Sequence, residues 1–350
     1  MSHPDAMKMH TPLLRVAVIA VALVALLGVI VLAFSWPTVT AEPKDLPVAI
    51  AGPQDAVDAA SQAIDQKADG AIELTTVDDR SAAVDAIEHR EVYGAVILGA
   101  EPEVLVASGG STVVAQLLTG IAGNLEEGLN AQVQAAAAAA GAQAPPAVEV
   151  VVTDVVPLAE SDPRGTGIAT SIFPLVLGGM IGGIAISFLV IGALRRVFAV
   201  VVYGAVGGLV LSAVLGGWFG ALQGGYWVDA AALGLALMAI AAPITGFVAL
   251  IGRAGIAFGP LVMLLFANPL SSANAPKEFL VAPWGEVGQW FPPGAAATLL
   301  RDLSYFPSAD ATFPWLVLGA WTIGGLLLSV VGHFRTAGAA EPDAEAAVAV

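Results

Sequence analysis

A hydroxyl nucleophile needs a serine on a sharp turn and a neighbouring base to take its proton. The run Ser108-Gly109-Gly110-Ser111 sets serines beside glycines, but it does not form the G-x-S-x-G elbow that exposes such a serine. It reads instead as a turn into a helix capped by Ser111 or Thr112. Four histidines stand at positions 3, 10, 89 and 333, with no spacing that would share a metal. His89 falls on a charged helix face and reads as a surface residue. The chain has no cysteine, which excludes disulfides, thiolate zinc sites and cysteine nucleophiles. Its four lysines, at 8, 44, 67 and 277, do not follow Gly-x-x-x-x-Gly, so the chain carries no P-loop of its own. These residues point to no catalytic centre, no metal and no cofactor, and the chain reads as a non-enzyme.

The most distinctive mixture of polar and apolar residues is WGEVGQWFPPGAAATLL, from Trp284 to Leu300. Trp284, Val287 and Trp290 recur every third residue, a helical stripe, and Pro283 suits the first position of that helix. Pro292-Pro293 stops it, and Gly294 allows a sharp turn. A second short helix, from Ala295 to about Phe306, carries Leu299, Leu300 and Leu303 on one side. Tryptophan favours the membrane–water boundary. The stretch 276–306 therefore reads as a helical hairpin dipping into the outer leaflet, with Glu286 and Arg301 flanking its corner and able to pair. It serves as an outer mouth or as an anchor for the last span. Asn268-Pro269 ends the span before it.

Around this segment the chain is 57% hydrophobic and 12% charged, about half the charged fraction of an ordinary soluble domain. It reads as a polytopic α-helical membrane protein. A crossing helix needs about 20 apolar residues. Uncharged runs place six spans near 16–35, 168–192, 198–221, 230–251, 254–270 and 313–333. Lys8, Arg15, Arg195, Arg196, Arg253 and Arg335 fall on one side of these spans, and among the short loops of the other side only Lys277 and Arg301 are basic. The positive-inside rule then puts both termini in the cytoplasm and the 37–166 segment outside. A signal peptide cut near Val39-Thr40-Ala41 is the alternative for the first span, but its apolar run exceeds the usual h-region of about 7–15 residues. No Asp, Glu, Lys or Arg falls at mid-membrane depth, which argues against an ion-driven pump. Gly178/Gly182, Gly179/Gly183, Gly204/Gly208 and Gly216/Gly220 let helices approach closely, within the chain or in a homodimer. Pro174, Pro243 and Pro260 fall inside spans, where each can kink its helix.

Residues 37–166 hold 20 Asp/Glu against 5 Lys/Arg, a balance of −15. Such a field repels nucleic acid and anionic surfaces. The hydropathy pattern predicts strands at 46–52, 72–78, 93–99, 103–109 and 148–157. Helices are predicted at 54–68, 79–91 (capped by Asp78 or Asp79) and 112–140, in a compact α/β domain. The last helix carries Leu117, Ile121, Leu125, Leu129 and Val133 every fourth residue. The four parts are then 1–36, a cytoplasmic N-terminus and first span; 37–166, the extracytoplasmic acidic domain; 167–335, a five-helix membrane domain with the hairpin; and 336–350, an Ala/Asp/Glu tail with the composition of disorder.

Two stretches, VDDRSAAVDAIEHREVYGAVILG (77–99) and FANPLSSANAPKEFLVAPWGEVGQWFPPGAAATLLRDLSYF (266–306), together with this layout, resemble the ABC-2 type exporter permease superfamily and its YhgE/Pip-like and DUF3533-like branch. The resemblance implies a bacterial plasma-membrane permease subunit, usually dimeric, that moves an apolar or amphipathic substrate outward. Its energy comes from a separate cytoplasmic ATPase docked on the turn after the second span, here Arg195 and Arg196. It also implies that Asn268, Pro269, Trp284, Glu286, Trp290, Pro292, Pro293, Gly294 and Arg301 lie at the outer mouth. The short inner turns depart from the family pattern and favour an alternative, a non-transporting envelope scaffold or receptor-like protein whose outer domain binds a partner.

Overall fold

The computed structural model describes residues 11–68, 70–143 and 145–348, with side chains described outside 65–68 and 335–348. Helix α1 (Leu13–Val39) is uncharged beyond Arg15 and almost wholly apolar. It is followed by β1 (Leu46–Ala51), α2 (Gln54–Ala68), β2 (Ile72–Thr76), α3 (Arg80–Glu88), β3 (Gly94–Ile97), β4 (Glu103–Val106), α4 (Thr112–Ala139) and β5 (Val151–Asp154). This is the predicted order of strands and helices. Asp79 and Ser111 cap α3 and α4, accepting from the Ala82 and Val114 amides, as residues of their type do at helix starts.

The five strands form one sheet in the order β2-β1-β3-β4-β5. β1 runs parallel to β2 and β3, β3 and β4 form the expected antiparallel hairpin, and β5 is parallel to β4. The central strand β1 is apolar on both faces because both are covered. Leu46, Val48 and Ile50 face a core shared with Val57, Val114 and Leu118, and Ala49 faces a core with Ala83, Ile87 and Leu105. The fourth-residue stripe of α4 sits at the edge of the first core: Leu117, Ile121, Leu125 and Leu129 pack there only in part.

The remaining helices are α5 (Gly167–Leu189), α6 (Ala193–Ser212, continued by a π-helical turn Ala213–Trp218), α7 (Tyr226–Ile251), α8 (Trp284–Gln289), α9 (Pro292–Tyr305) and α10 (Thr312–Val348). Among the described residues, five helices are long and apolar enough to cross a membrane: α1, α5, α6 with its π turn, α7 with the 3-10 turn that follows it, and α10. α7 is the hub, 61% buried along its span, whereas α1 is 0% buried. The tail at 336–350 falls on residues whose side chains, and at 349–350 whose backbone, lie outside the described set.

The glycine pairs act inside the chain. A Cβ at Gly208 would stand 2.1 Å from the Ala230 carbonyl, and one at Gly204 2.8 Å from that of Gly234, so α6 and α7 touch backbone to backbone. Gly179 and Gly183 meet Ile240 and Ala241 of α7, and Gly182 meets Tyr203. Gly216, in the π turn, is not crowded in this way. The sequence of contacts makes α6 antiparallel to α7. α5 and α10 are parallel to it: Gly325 lies against Ala242 and Gly332 against Ala249.

Because α7 and α10 run parallel, the chain must return between them. The helix predicted at 254–270 makes this return in a different form. A 3-10 turn (Gly252–Ala257) and a nine-residue π-helix (Gly259–Ala267) replace a regular span. Gly252 reverses the chain with φ +71, and Gly255 and Gly259 press against Phe247 and Ile244, so the segment climbs back along α7. Three glycines and Pro260 within nine residues weaken the regular helical ladder.

α7 begins at Tyr226 rather than near 230, so the buried Asp229 stands in its first turn, beside Trp227 and away from mid-helix. The Asp229 Oδ1 has no hydrogen-bond partner. The helix ends nearest the sheet carry exposed tryptophans: Trp36, Trp218, Trp227 and Trp290, a distribution like that of a boundary aromatic belt.

Candidate functional site

The segment 277–306 does not lie free in a leaflet. It opens with a 3-10 turn, Lys277–Phe279. Pro283 precedes α8 rather than starting it, and Pro292 and Pro293 occupy the first positions of α9, where the missing N–H costs nothing. Pro292 to Ala297, Leu299, Leu300 and Asp302 are buried against α5, α7, α10 and the π-helix. Gly294 makes no turn. It lies in the first turn of α9, where a Cβ would stand 2.3 Å from the Gly288 carbonyl, so it permits α8 and α9 to touch. Trp284 meets Phe266 edge-on at 6.0 Å. Trp290 is exposed, contacts Phe313 edge-on at 5.0 Å, and its carbonyl accepts from the Trp321 ring N–H at 2.8 Å. Asn268 ends the π-helix, its side-chain oxygen buried without a partner, and Pro269 follows.

Glu286 and Arg301 do not pair. Glu286 is exposed and takes Lys277 at 2.7 Å. Arg301, one turn from the end of α9, turns inward and donates to the Ala273 carbonyl at 3.0 Å. The flanking positions are correct but belong to different faces, because Arg301 shares the face of Thr298 and Asp302 at helical spacing.

This face meets the sheet domain formed by β1 to β5. Arg90 follows α3 with φ +58, a left-handed conformation in which glycine is usual, and its guanidinium forms an ion pair with Asp302. The same group lies 5.3 Å from the Phe306 ring centroid. Tyr93 donates to Glu278 at 2.8 Å. The Glu42 and Lys44 amides donate to the Phe279 and Glu278 carbonyls at 3.1 and 3.2 Å. Phe279 enters the core on one face of the sheet and Phe306 the core on the other, so the segment straddles the sheet domain. Burial, and then Glu278, keep the Tyr93 phenol protonated well above its ordinary range. Burial, and then Arg90, pull Arg301 down to about 10. Burial also raises Asp302, against the opposing pull of Arg90.

Between these elements lies a cavity of about 440 Å³. Its walls include Tyr93, the Ser108–Ser111 turn, Ser272, Gln289, Thr298, Arg301 and Phe306. Ser108 is committed elsewhere: its hydroxyl bonds to the Asp154 carboxylate and accepts from the Leu158 amide at 3.1 Å. A second cavity, of about 640 Å³, lies between α5, α6 and α7. Pro174, Leu175, Leu211, Leu215 and Leu237 give it apolar walls, and Ser161, Asp162, Thr166 and Thr170, at the start of α5, add polar groups. Asp162 is engaged there in capping α5, accepting from Thr166 and Gly167.

At the opposite end of the bundle, Arg195 is exposed, whereas Arg196 donates to the Val190 and Ser187 carbonyls at 2.8 and 2.9 Å and so caps α5. Only three residues separate α5 from α6. Sequence reasoning missed Arg90, Tyr93, Phe279, Asp302 and Phe306 as partners. The Thr298, Arg301, Asp302 spacing was the one available signal, and the partner of Asp302, Arg90, is 212 residues away in the chain. Compared with protein-family models, curated proteins and solved structures, the chain matches none.

Proposed function

We propose that this chain is the membrane permease subunit of an ABC-2 type exporter in a bacterial plasma membrane, moving an apolar or amphipathic substrate outward with energy from a separate ATPase. Both termini lie in the cytoplasm, the 37–166 domain lies outside, and the broken segment after α7 is the sixth crossing. The observation that carries the reading is the 640 Å³ cavity between α5, α6 and α7, whose walls are mostly apolar with hydroxyl groups gathered at the start of α5. That division of lining suits a molecule with an apolar body and a polar end. The parallel run of α7 and α10 supports a sixth crossing, because only a return of the chain reconciles it with the sequence order. Pull-down of the full-length chain from native membranes tests the reading: a P-loop ATPase is the expected companion, and its consistent absence overturns the assignment.

The short inner turn favours a second reading. With Arg196 spent on capping α5, little more than Arg195 remains there for an ATPase to grip. A non-transporting envelope scaffold, with the acidic outer domain as its binding part, needs no such grip. A stable complex with a secreted or wall-associated protein that survives ATPase depletion supports it.

A further inference from the structure

The cavity between the outer domain and α9 contains a cation, Arg301, that forms no ion pair among the described residues; Asp302 attracts it but is paired with Arg90, which repels it. Arg90 and Asp302 satisfy one another there, as do Lys277 and Glu286. Glu278 receives the Tyr93 hydroxyl, and Glu91, His89 and Asp310 line the cavity from exposed positions. Arg301 donates to the Ala273 carbonyl, and among the described residues no carboxylate pairs with it. A guanidinium carries five donor hydrogens and does not lose its charge in proteins, and a buried ion without compensation is worth several kcal/mol of penalty.

Apart from Asp302, which is engaged by Arg90, groups that can donate gather around Arg301. Ser272, next to Ala273, has φ +53 and a buried hydroxyl with no partner. Gln289 is buried, and its side-chain oxygen accepts from Thr298 at 2.6 Å, which leaves its NH2 group to donate elsewhere. Thr298 is one helical turn before Arg301 on α9. Helix α4 also begins at this cavity, with Gly109, Gly110 and Ser111 in its wall, and its N-terminal end adds partial positive charge.

We propose that this cavity is a binding site for an oxyanion, a carboxylate or phosphate group, accepted by Arg301 with the Ser272 hydroxyl and the Gln289 amide. Binding here is an equilibrium property of the folded chain and holds whether or not the chain exports anything. The anion has two sources: a small soluble acid that enters from outside, or the headgroup of an anionic lipid. The second is within reach because Phe313 lines the cavity and touches the exposed Trp290.

The test uses the purified full-length chain in a neutral detergent. Thermal unfolding is followed during titration with inorganic phosphate, with acetate, and with mixed micelles containing phosphatidic acid or phosphatidylcholine. A saturable rise with phosphate or acetate identifies the soluble source. A rise with phosphatidic acid but not phosphatidylcholine, in the absence of a phosphate or acetate effect, identifies the headgroup. In the responding arm Arg301→Gln weakens binding by about ten-fold or more, the scale of a charged hydrogen bond. Ser272→Ala weakens it several-fold, and Arg195→Gln at the far end of the bundle leaves it unchanged. Should Arg301→Gln fail to fold, Ser272→Ala and Gln289→Met carry the same test. No saturable response to any anion, or a response that these substitutions leave unaltered, overturns the proposal.

Discussion

Arg90 of the sheet domain and Asp302 of α9 form a buried ion pair across the junction between the sheet and the apolar helices. Their side chains are 20% and 6% exposed, so water screens the pair weakly. Arg90 holds a left-handed backbone conformation to reach it, which costs on the order of 1 kcal/mol for a residue with a Cβ.

Removing one partner leaves the other charged and buried. Arg90→Gln should therefore destabilise the chain by about 2–4 kcal/mol, near the lower end for a broken buried pair because Arg90 keeps some exposure. The double change Arg90→Met with Asp302→Leu should recover most of that loss, since matched apolar groups remove both charges. Thermal unfolding of the full chain in detergent, run as a double-mutant cycle, reads the coupling. Independent and additive effects would show that the two residues do not share one contact.

A second ion pair sets a pH response. Arg80 donates to both carboxylate oxygens of Glu103 at 2.6 and 3.0 Å, and Thr153 donates to the same carboxylate at 2.5 Å. The Arg80 hydrogen bond, chiefly, lowers Glu103 below its ordinary value of 4.5. A depressed carboxylate stabilises the fold above its unfolded value and loses that contribution as pH falls through the folded one. Protection of the β4 and β5 amides against hydrogen exchange should thus decline below pH 4.5. Arg80→Met should remove much of that dependence, with a loss of about 0.5 kcal/mol at neutral pH because Arg80 is half exposed.

The glycines divide into two groups that one experiment separates. Gly204 and Gly208 stand where any Cβ strikes the α7 backbone. Gly208→Val should cost about 3 kcal/mol or more, beyond ordinary overpacking because backbone must move. Gly120 and Gly123 of α4 have open space around them. Gly120→Ala should raise stability by about 0.5–1 kcal/mol through helix propensity alone. Expression level and unfolding temperature of the two variants should move in opposite directions.

Local patterns carried much of the fold. The strand and helix order of the outer domain was legible because each element repeats at its own period between breakers, and the caps Asp79 and Ser111 follow from their type. The return after α7 was not legible as such: 254–270 is apolar enough for a span, and only its density of Gly252, Gly255, Gly259 and Pro260 hints at a broken one. Asp229 fell one residue outside the predicted span. The junction was hidden for a different reason. Arg90 and Asp302, or Phe279 and Phe306, acquire meaning only when the sheet places them together, and nothing local marks a contact between distant segments. Gly294 and Pro292-Pro293 were recognised as special positions, yet their role is a close helix contact and a helix start rather than a corner.

Trp290 and Gly294 discriminate an outer mouth from an anchor. Trp290 is 62% exposed, so Trp290→Ala should change unfolding temperature little while removing a boundary ring from the segment next to the cavity. Gly294→Ala should be more damaging, on the order of 1–3 kcal/mol, because its methyl group meets the Gly288 carbonyl and separates α8 from α9. Trp284→Ala removes the ring packed on Phe266 and should fall between them. If the segment gates export, Trp284→Ala and Gly294→Ala should lower efflux of an amphipathic dye from cells by more than their effect on the amount of protein in the membrane. Efflux that merely follows that amount would assign the segment to anchoring. The comparison must be made per folded molecule, since a destabilised anchor and a broken gate both reduce total flux, and only the gate reduces flux in chains that have folded.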